Sequence, residues 1–259
     1  MDLGIRGKRA LVFGGSRGMG RACARQLSLE GVRVTIAART QSTLDAAAAD
    51  ISTETGAEVV SVVADIATEA GRAAALAACP APDILINNAD GPLPGDFREW
   101  SHDDWVSALD VMMLGPIAMI RATVDSMIDR EFGRIVNIVS RSVKLPQAEL
   151  GLSNGALSGL VGFVGGLARQ TVRHNVTINN LLPGVFATDG QKRHLDAMRK
   201  STGQSFEQLW NERAQSSPAR RFGDPAEFGA YCAFICSAHA GYITGQNLLI
   251  DGGGYPGTY

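Results

Sequence analysis

Ala10-Leu11-Val12-Phe13-Gly14-Gly15-Ser16-Arg17-Gly18-Met19-Gly20 is the stretch that decides the fold of this chain. Ala10 to Phe13 is an apolar run of strand length, and a helical pattern follows Gly20. Glycines between a strand and a helix let the backbone turn sharply and leave free N–H groups at the helix N-terminus, an arrangement that cradles phosphate.

Outward from this stretch the alternation continues. Arg9–Phe13, Val32–Ala37, Glu58–Val63, Ile84–Ile86, Arg134–Val139, Thr177–Leu181 and Asn247–Ile250 read as strands, and longer helical patterns separate them. Such alternation predicts an α/β fold with one doubly wound parallel sheet, helices on both faces, and ligands bound beyond the carboxyl ends of the strands. With 259 residues, 45% hydrophobic and 19% charged, the chain can bury one large core, so 1–259 is read as a single domain. Residues 188–218 turn polar and helical directly after a strand, which predicts a lid over the substrate.

The 24 basic and 26 acidic side chains are spread along the sequence and leave a net charge of −2, without the basic stripe that a nucleic acid needs. The start of the chain has no apolar leader, and the longest uncharged stretch, about 153–168, is short of a bilayer span and broken by glycines. A soluble cytoplasmic protein without membrane contact is expected. Cys232 and Cys236 lie one helical turn apart beside His239, three groups where a structural zinc site wants four, so core thiols and no metal are expected. Gly155, Gly159, Gly162 and Gly166 share one helix face, and each costs roughly 0.5–1 kcal/mol against alanine. Close packing on the sheet or against a second subunit would offset that cost, and a homo-oligomer, dimer or tetramer, is expected.

Further motifs close the predicted strands: Asp65-Ile66, Asn87-Asn88-Ala89, Pro183-Gly184-Val185-Phe186-Ala187-Thr188 and Asp251-Gly252-Gly253. Together with the Gly-x-x-x-Gly-x-Gly of Gly14, Gly18 and Gly20, this set resembles the short-chain dehydrogenase/reductase family over essentially the whole chain. The resemblance implies a Rossmann-like sheet of about seven strands. It implies that Ser16, Arg17 and Met19 turn around the phosphates of a dinucleotide while Gly18 and Gly20 admit its close approach. It further places Asp65 and Ile66 beside the adenine, Asn88 and Ala89 beside the ribose, and Pro183, Gly184 and Thr188 around the nicotinamide. The second strand ends on Ala38-Arg39, where an NAD enzyme places a carboxylate against the ribose hydroxyls. Arg39 and Arg17 can instead clamp a 2′-phosphate, so NADP(H) is expected over NAD(H).

The same resemblance implies a catalytic Ser, Tyr, Lys and Asn, and only the first is matched, by Ser140. Ser153 stands in the Tyr position, Leu157 in the Lys position and Met112 in the Asn position. Hydride delivery to a carbonyl leaves an alkoxide that must be protonated, and a positioned acid contributes ~10²–10⁴-fold. Lys144, four residues after Ser140, is the nearest candidate acid, with Ser153 or water as alternatives, and Glu149, Asp189 and Tyr255 as weaker ones. His102, His174 and His194 stand alone in the sequence. Asp90 replaces a family glycine and adds a carboxylate near the cofactor. The expected activity is NADP(H)-dependent hydride transfer to or from a small carbonyl or alcohol substrate with a non-standard proton donor. Two alternatives stay open, a sensor that binds NADP(H) without turnover and non-redox lyase or isomerase chemistry in the same pocket.

Overall fold

The computed structural model describes residues 1–258, and side chains for all of these except 197, 200 and 201. Each of the seven strand candidates forms a strand, shifted by no more than two residues: β1 Arg9–Phe13, β2 Arg33–Ala38, β3 Val59–Val63, β4 Ile84–Asn87, β5 Gly133–Ile138, β6 Val176–Pro183 and β7 Asn247–Ile250. Helices α1 Gly18–Leu29, α2 Gln41–Thr55, α3 Glu69–Ala78, α4 His102–Leu109, α5 Gly115–Asp129, α6 Gly151–Thr171, α7 Asp189–Thr202, α8 Phe206–Gln215 and α9 Pro225–Ile235 lie between them. The strands pair in parallel in the order β3-β2-β1-β4-β5-β6-β7. The chain winds outward from β1 to β3 and then returns to place β4 on the other side of β1. Between β1 and β4 the winding direction reverses, which opens a crevice at the strand ends.

Alternating strand residues feed two cores, as expected of a sheet covered on both faces. Ala10, Val12, Val34, Ile36, Ile84, Ile86 and Val136 meet α1, α2 and α9 on one side. Leu11, Phe13, Leu85, Ile135 and Ile178 meet α5 and α6 on the other. Through this apolar sheet runs a ladder of amides. Asn87 Nδ2 donates to Asn137 Oδ1 (2.9 Å), Asn137 Nδ2 to Asn180 Oδ1 (3.0 Å) and Asn180 Nδ2 to Asn247 Oδ1 (2.9 Å). The register pairs these residues directly across β4, β5, β6 and β7, so each amide faces the next. The ladder lets buried side-chain amides satisfy one another close to the ligand edge of the sheet.

Between α4 and α5 the helix widens into a π turn over Asp110–Leu114, where the Gly115 N–H donates to the Asp110 carbonyl. Pro116 explains the widening. Its ring nitrogen has no proton for the Met112 carbonyl, and an unwidened helix would drive the ring into that carbonyl. The glycine stripe of α6 does not meet the sheet, which corrects one of the two expected uses. The sheet-facing side of α6 is Ala156, Leu160, Val164 and Ala168, whereas Gly155 faces Trp105, Gly159 faces Met113, and Gly162 and Gly166 face open space. The helical runs His102–Asp129 and Ala148–His174 are long and apolar enough to cross a membrane, but each buries residues in the core beside the sheet.

Candidate active site

At the end of β1 the chain turns through Gly14, in the left-handed region at φ +62°, and enters α1. A Cβ on Gly20 would drive into the Gly14 carbonyl, so this turn closes only with glycine there. Asn88, following β4, braces the loop by donating from Nδ2 to the Gly14 carbonyl (3.4 Å). No side chain caps α1, because Arg17 at its N-cap is extended and makes no cap hydrogen bond. Its first N–H groups therefore face the crevice with the positive end of the helix dipole behind them.

A cleft of about 930 Å³, counted out to its open mouth and including open solvent, lies over this loop. Gly14, Ser16, Arg17, Gly18, Met19, Arg39, Asp65, Ile66, Asn88, Ala89 and Thr188 all line it. Eleven residues from five separate segments, singled out from the sequence, thus converge on one wall. Three others sit elsewhere. Gly20 is buried beneath Gly14, while Pro183 ends β6 and Gly184 abuts Asp251, both outside the cleft lining.

Ala38, Arg39 and Thr40 form one end of the cleft with Arg17. Arg17 and Arg39 are exposed, and among the described residues neither has a carboxylate partner. Arg21 and Arg25 on the same helix, by contrast, pair with Asp50 and Glu54. The other end of the cleft is closed by the start of α7. Thr188 caps that helix by accepting from the Gln191 N–H (3.2 Å), and its side chain lies against Gly18. Asp90 lines the cleft with Arg193, and their side chains pair at 3.6 Å. The carboxylate added after β4 thus faces the cleft and carries its own counter-charge from α7.

The residues that the sequence reading assigns to the family's four catalytic positions, Ser140, Ser153, Leu157 and Met112, come together only in part. Ser140 follows β5, and its Oγ accepts from the Ser142 N–H (3.1 Å). Ser153, near the start of α6, is buried; a Cβ on Gly91 would lie 3.2 Å from its Oγ and 2.9 Å from Met112 Cε. The fold therefore brings positions 112 and 153 together at the π turn, around a thioether and a hydroxyl. Leu157, one turn along α6, is buried in the core. Lys144 projects over the ring of Tyr255 in the C-terminal tail, 5.7 Å from its centroid, half-buried.

Three further groups also belong to this edge, of which the sequence reading names His194 without giving it a role and does not name Arg193 or Arg213. His194 on α7 is pushed below the ordinary imidazole range, first by burial and then by the Arg213 charge, with Glu149 opposing. Arg213 on α8 is lowered chiefly by burial and further by Arg141, again with Glu149 opposing. Arg193 completes the set through its pair with Asp90. Nothing in the local sequence marks them, because only the return of α7 and α8 over the strand ends brings them near Ser140 and the cleft. Three of the four cysteines form a separate buried group, Cys23 with Cys232 and Cys236, Cys79 being buried on the other face of the sheet, while His239 bonds the Asp2 carbonyl (2.7 Å).

Comparison with known proteins gives a consistent result. A family profile described as enoyl-(acyl carrier protein) reductase matches residues 14–254. The 3-oxoacyl-(acyl-carrier-protein) reductase of Vibrio harveyi is 32% identical, over 98% of this chain and 99% of its own. The NADPH-dependent reductase BacG of Bacillus subtilis is 30% identical, over 95% of this chain and 97% of its own. Among solved structures, L-sorbose reductase from Gluconobacter frateurii, complexed with NADPH and L-sorbose, superposes with a TM-score of 0.91 at 27% identity, over 97% of this chain and 98% of that one.

Proposed function

Because the chain belongs to the short-chain dehydrogenase/reductase family, we propose that it is an oxidoreductase that passes hydride between NADP(H) and a carbonyl or alcohol through a non-standard proton donor. The cofactor is NADP(H). When bound, it supplies or accepts the hydride. The observation that carries this reading is the cleft itself, with an uncapped helix N-terminus at its floor and, at one end, Arg17 of the glycine loop and Arg39 after β2, neither with a carboxylate partner among the described residues. Ser16, Arg17, Gly18 and Met19 would hold the phosphates through backbone N–H groups, and Arg39 with Arg17 would hold the 2′-phosphate. Asp65, Ile66, Asn88, Ala89 and Thr188 would frame the rest, with Pro183 and Gly184 setting the backbone behind it.

On the chemical side, Ser140 orients the substrate oxygen by hydrogen bonding. The site lacks the family's Tyr-Lys pair, since Ser153 and Leu157 occupy those positions. Lys144 lies in the loop after Ser140, and in this reading it delivers the proton, directly or through Ser153 and water. The α7–α8 pair acts as the substrate lid of a single-domain protein. The open glycine patch of α6, together with Phe163 at 39% exposure, supports burial against a second copy in a homo-oligomer. The cytoplasm suits its reduced thiols.

One observation favours a reading without hydride transfer. Ser153 and Met112 both border Gly91, a hydroxyl and a thioether that a sensing or non-redox site in the same pocket would tolerate. Single-turnover loss of bound NADPH fluorescence on addition of pooled ketones, aldehydes and imines, with NADH in parallel, separates the two. Enzyme-dependent decay with NADPH is expected, and it should slow at least tenfold in Lys144→Met. Tight NADPH binding with no decay across the pools would count against the hydride reading.

A further inference from the structure

Most arginines of this protein near an acid are paired with it: Arg21 with Asp50, Arg25 with Glu54, Arg130 with Asp83, Arg193 with Asp90, Arg221 with Glu227. Arg134, fully buried, is satisfied by carbonyl oxygens of Gly133, Asn175 and Ser237. Arg141 and Arg213 differ from all of these. Both are half-buried, and among the described residues neither makes an ion pair. The Nε of Arg213 is sealed from solvent and has no hydrogen-bond partner, and the same holds for Nε2 of Gln191 on α7. A buried donor without an acceptor is rare in a folded protein and calls for an explanation.

The two arginines lie within electrostatic reach of each other, so each guanidinium raises the cost of the other. His194 lies within reach of Arg213 and shares the Gln191 face of α7, three residues along. Among the described residues the opposing charge that reaches both Arg213 and His194 is Glu149, which is exposed. Asp251 lies nearby along the tail, where Arg141 abuts Gly254; its Oδ1 is engaged by the Gly253 N–H, while its Oδ2 is buried without a hydrogen-bond partner. Arg213 itself is therefore left with a buried donor without an acceptor, a second guanidinium in reach and one exposed carboxylate opposing it.

Its position gives it a use. Arg141 is the residue after Ser140, Glu149 lies four residues before Ser153, and His194 and Arg213 come from the two helices over the strand ends. We propose that Arg213, with Arg141 and His194, receives an anionic oxygen group of the substrate, a carboxylate or a phosphate ester, while the carbonyl lies at Ser140. A guanidinium offers two parallel N–H donors to either group, and the anion relieves the repulsion between the two arginines. This inference rests on the reading of Ser140 as the substrate-orienting residue.

The test is calorimetric binding to enzyme saturated with NADP⁺, where no reduction can proceed. Two probe pairs are used: 4-oxopentanoate against its methyl ester, and dihydroxyacetone phosphate against dihydroxyacetone. At least tenfold tighter binding of the anion is expected in one pair, and that pair identifies carboxylate or phosphate. Arg213→Met should remove the preference and Arg213→Lys should keep part of it, with NADP⁺ affinity unchanged in both, since Arg213 lies outside the cofactor cleft. A preference under twofold in both pairs would overturn the subsite, as would a preference that survives Arg213→Met. Anion preference without NADPH consumption would leave the subsite standing and remove the hydride reading. NADPH consumption with neutral and anionic ketones alike would do the reverse.

Discussion

Replacing Arg39 by Ala should change which cofactor the protein prefers more than how well it binds cofactors in general. Arg39 and Arg17 stand at one end of the cleft beside Ala38, exposed and with no carboxylate to hold them elsewhere among the described residues. A hydrogen bond to a charged group contributes about 1.5–3 kcal/mol, and exposure puts these two at the lower end. Each arginine is then worth about 1.5 kcal/mol toward the 2′-phosphate, or roughly tenfold in Kd. Both act on the same phosphate, so the double variant should lose less than the roughly hundredfold product, about 20-fold to 50-fold. NADH has no 2′-phosphate, and its Kd should stay within about twofold by the same accounting. Fluorescence titration of wild type, Arg39→Ala, Arg17→Ala and the double variant with both cofactors measures all eight constants. Raising salt should weaken NADPH binding to wild type and leave the double variant nearly unaffected. Equal losses for NADPH and NADH would refute the reasoning, because the arginines would then be contacting a part that the two cofactors share.

Three further outcomes follow from the geometry. Asn137→Ala removes the centre of the amide ladder and strands Asn87 Nδ2 and Asn180 Oδ1, at a cost of about 3 kcal/mol and a fall in Tm of roughly 6–12 °C by thermal melt; a fall under 2 °C would mean the ladder is not holding the sheet. His194 should titrate below 6.5 by proton NMR, and its pKa should rise in Arg213→Met. Its folded value is depressed, so the unfolded chain binds the proton first: stability is full above the unfolded pKa and falls as pH drops through the folded one, a slope that His194→Gln should flatten. Asp90→Asn should tighten NADPH binding about twofold to fivefold, since it removes a carboxylate from the cleft and frees Arg193, a half-exposed pair worth about 0.5–1 kcal/mol; weaker binding would show that Asp90 positions Arg193 rather than opposing the cofactor.

The elements that were legible in the sequence are those decided by local composition. β1 and β7 have the bounds expected from their apolar runs, and the glycine loop closes as its spacing requires. The eleven cleft residues were readable because each follows a strand end, and a parallel sheet brings its strand ends to one edge. The amide ladder was not readable. Asn87, Asn137, Asn180 and Asn247 each lie in or beside an apolar run, and their alignment depends on strand register, which pattern alone does not specify. The π turn was hidden for a related reason, since Pro116 announces a disturbance in the helix without saying which way it is absorbed.

The glycine stripe of α6 shows how a correct local observation can carry an incomplete expectation. Four glycines on one face require close approach, and the sheet was one natural partner. The sheet side of α6 is instead filled by Ala156, Leu160, Val164 and Ala168, side chains large enough to bury area against the strands. The glycines serve the other side, where Gly155 and Gly159 admit Trp105 and Met113, and so help seat the π turn that carries Met112 against Ser153. The shape of the site around Ser153 thus depends on residues that never touch it. A bulkier residue at Gly159 would collide with Met113 Sδ at 2.6 Å from its Cβ, and the displacement would pass to the π turn before it reached the sheet. The cofactor cleft is built on the strand ends and α1, but Val111 of the π turn lines it and Gly115 abuts the Ile66 carbonyl, so a displacement of the π turn would reach the edge of the cleft as well.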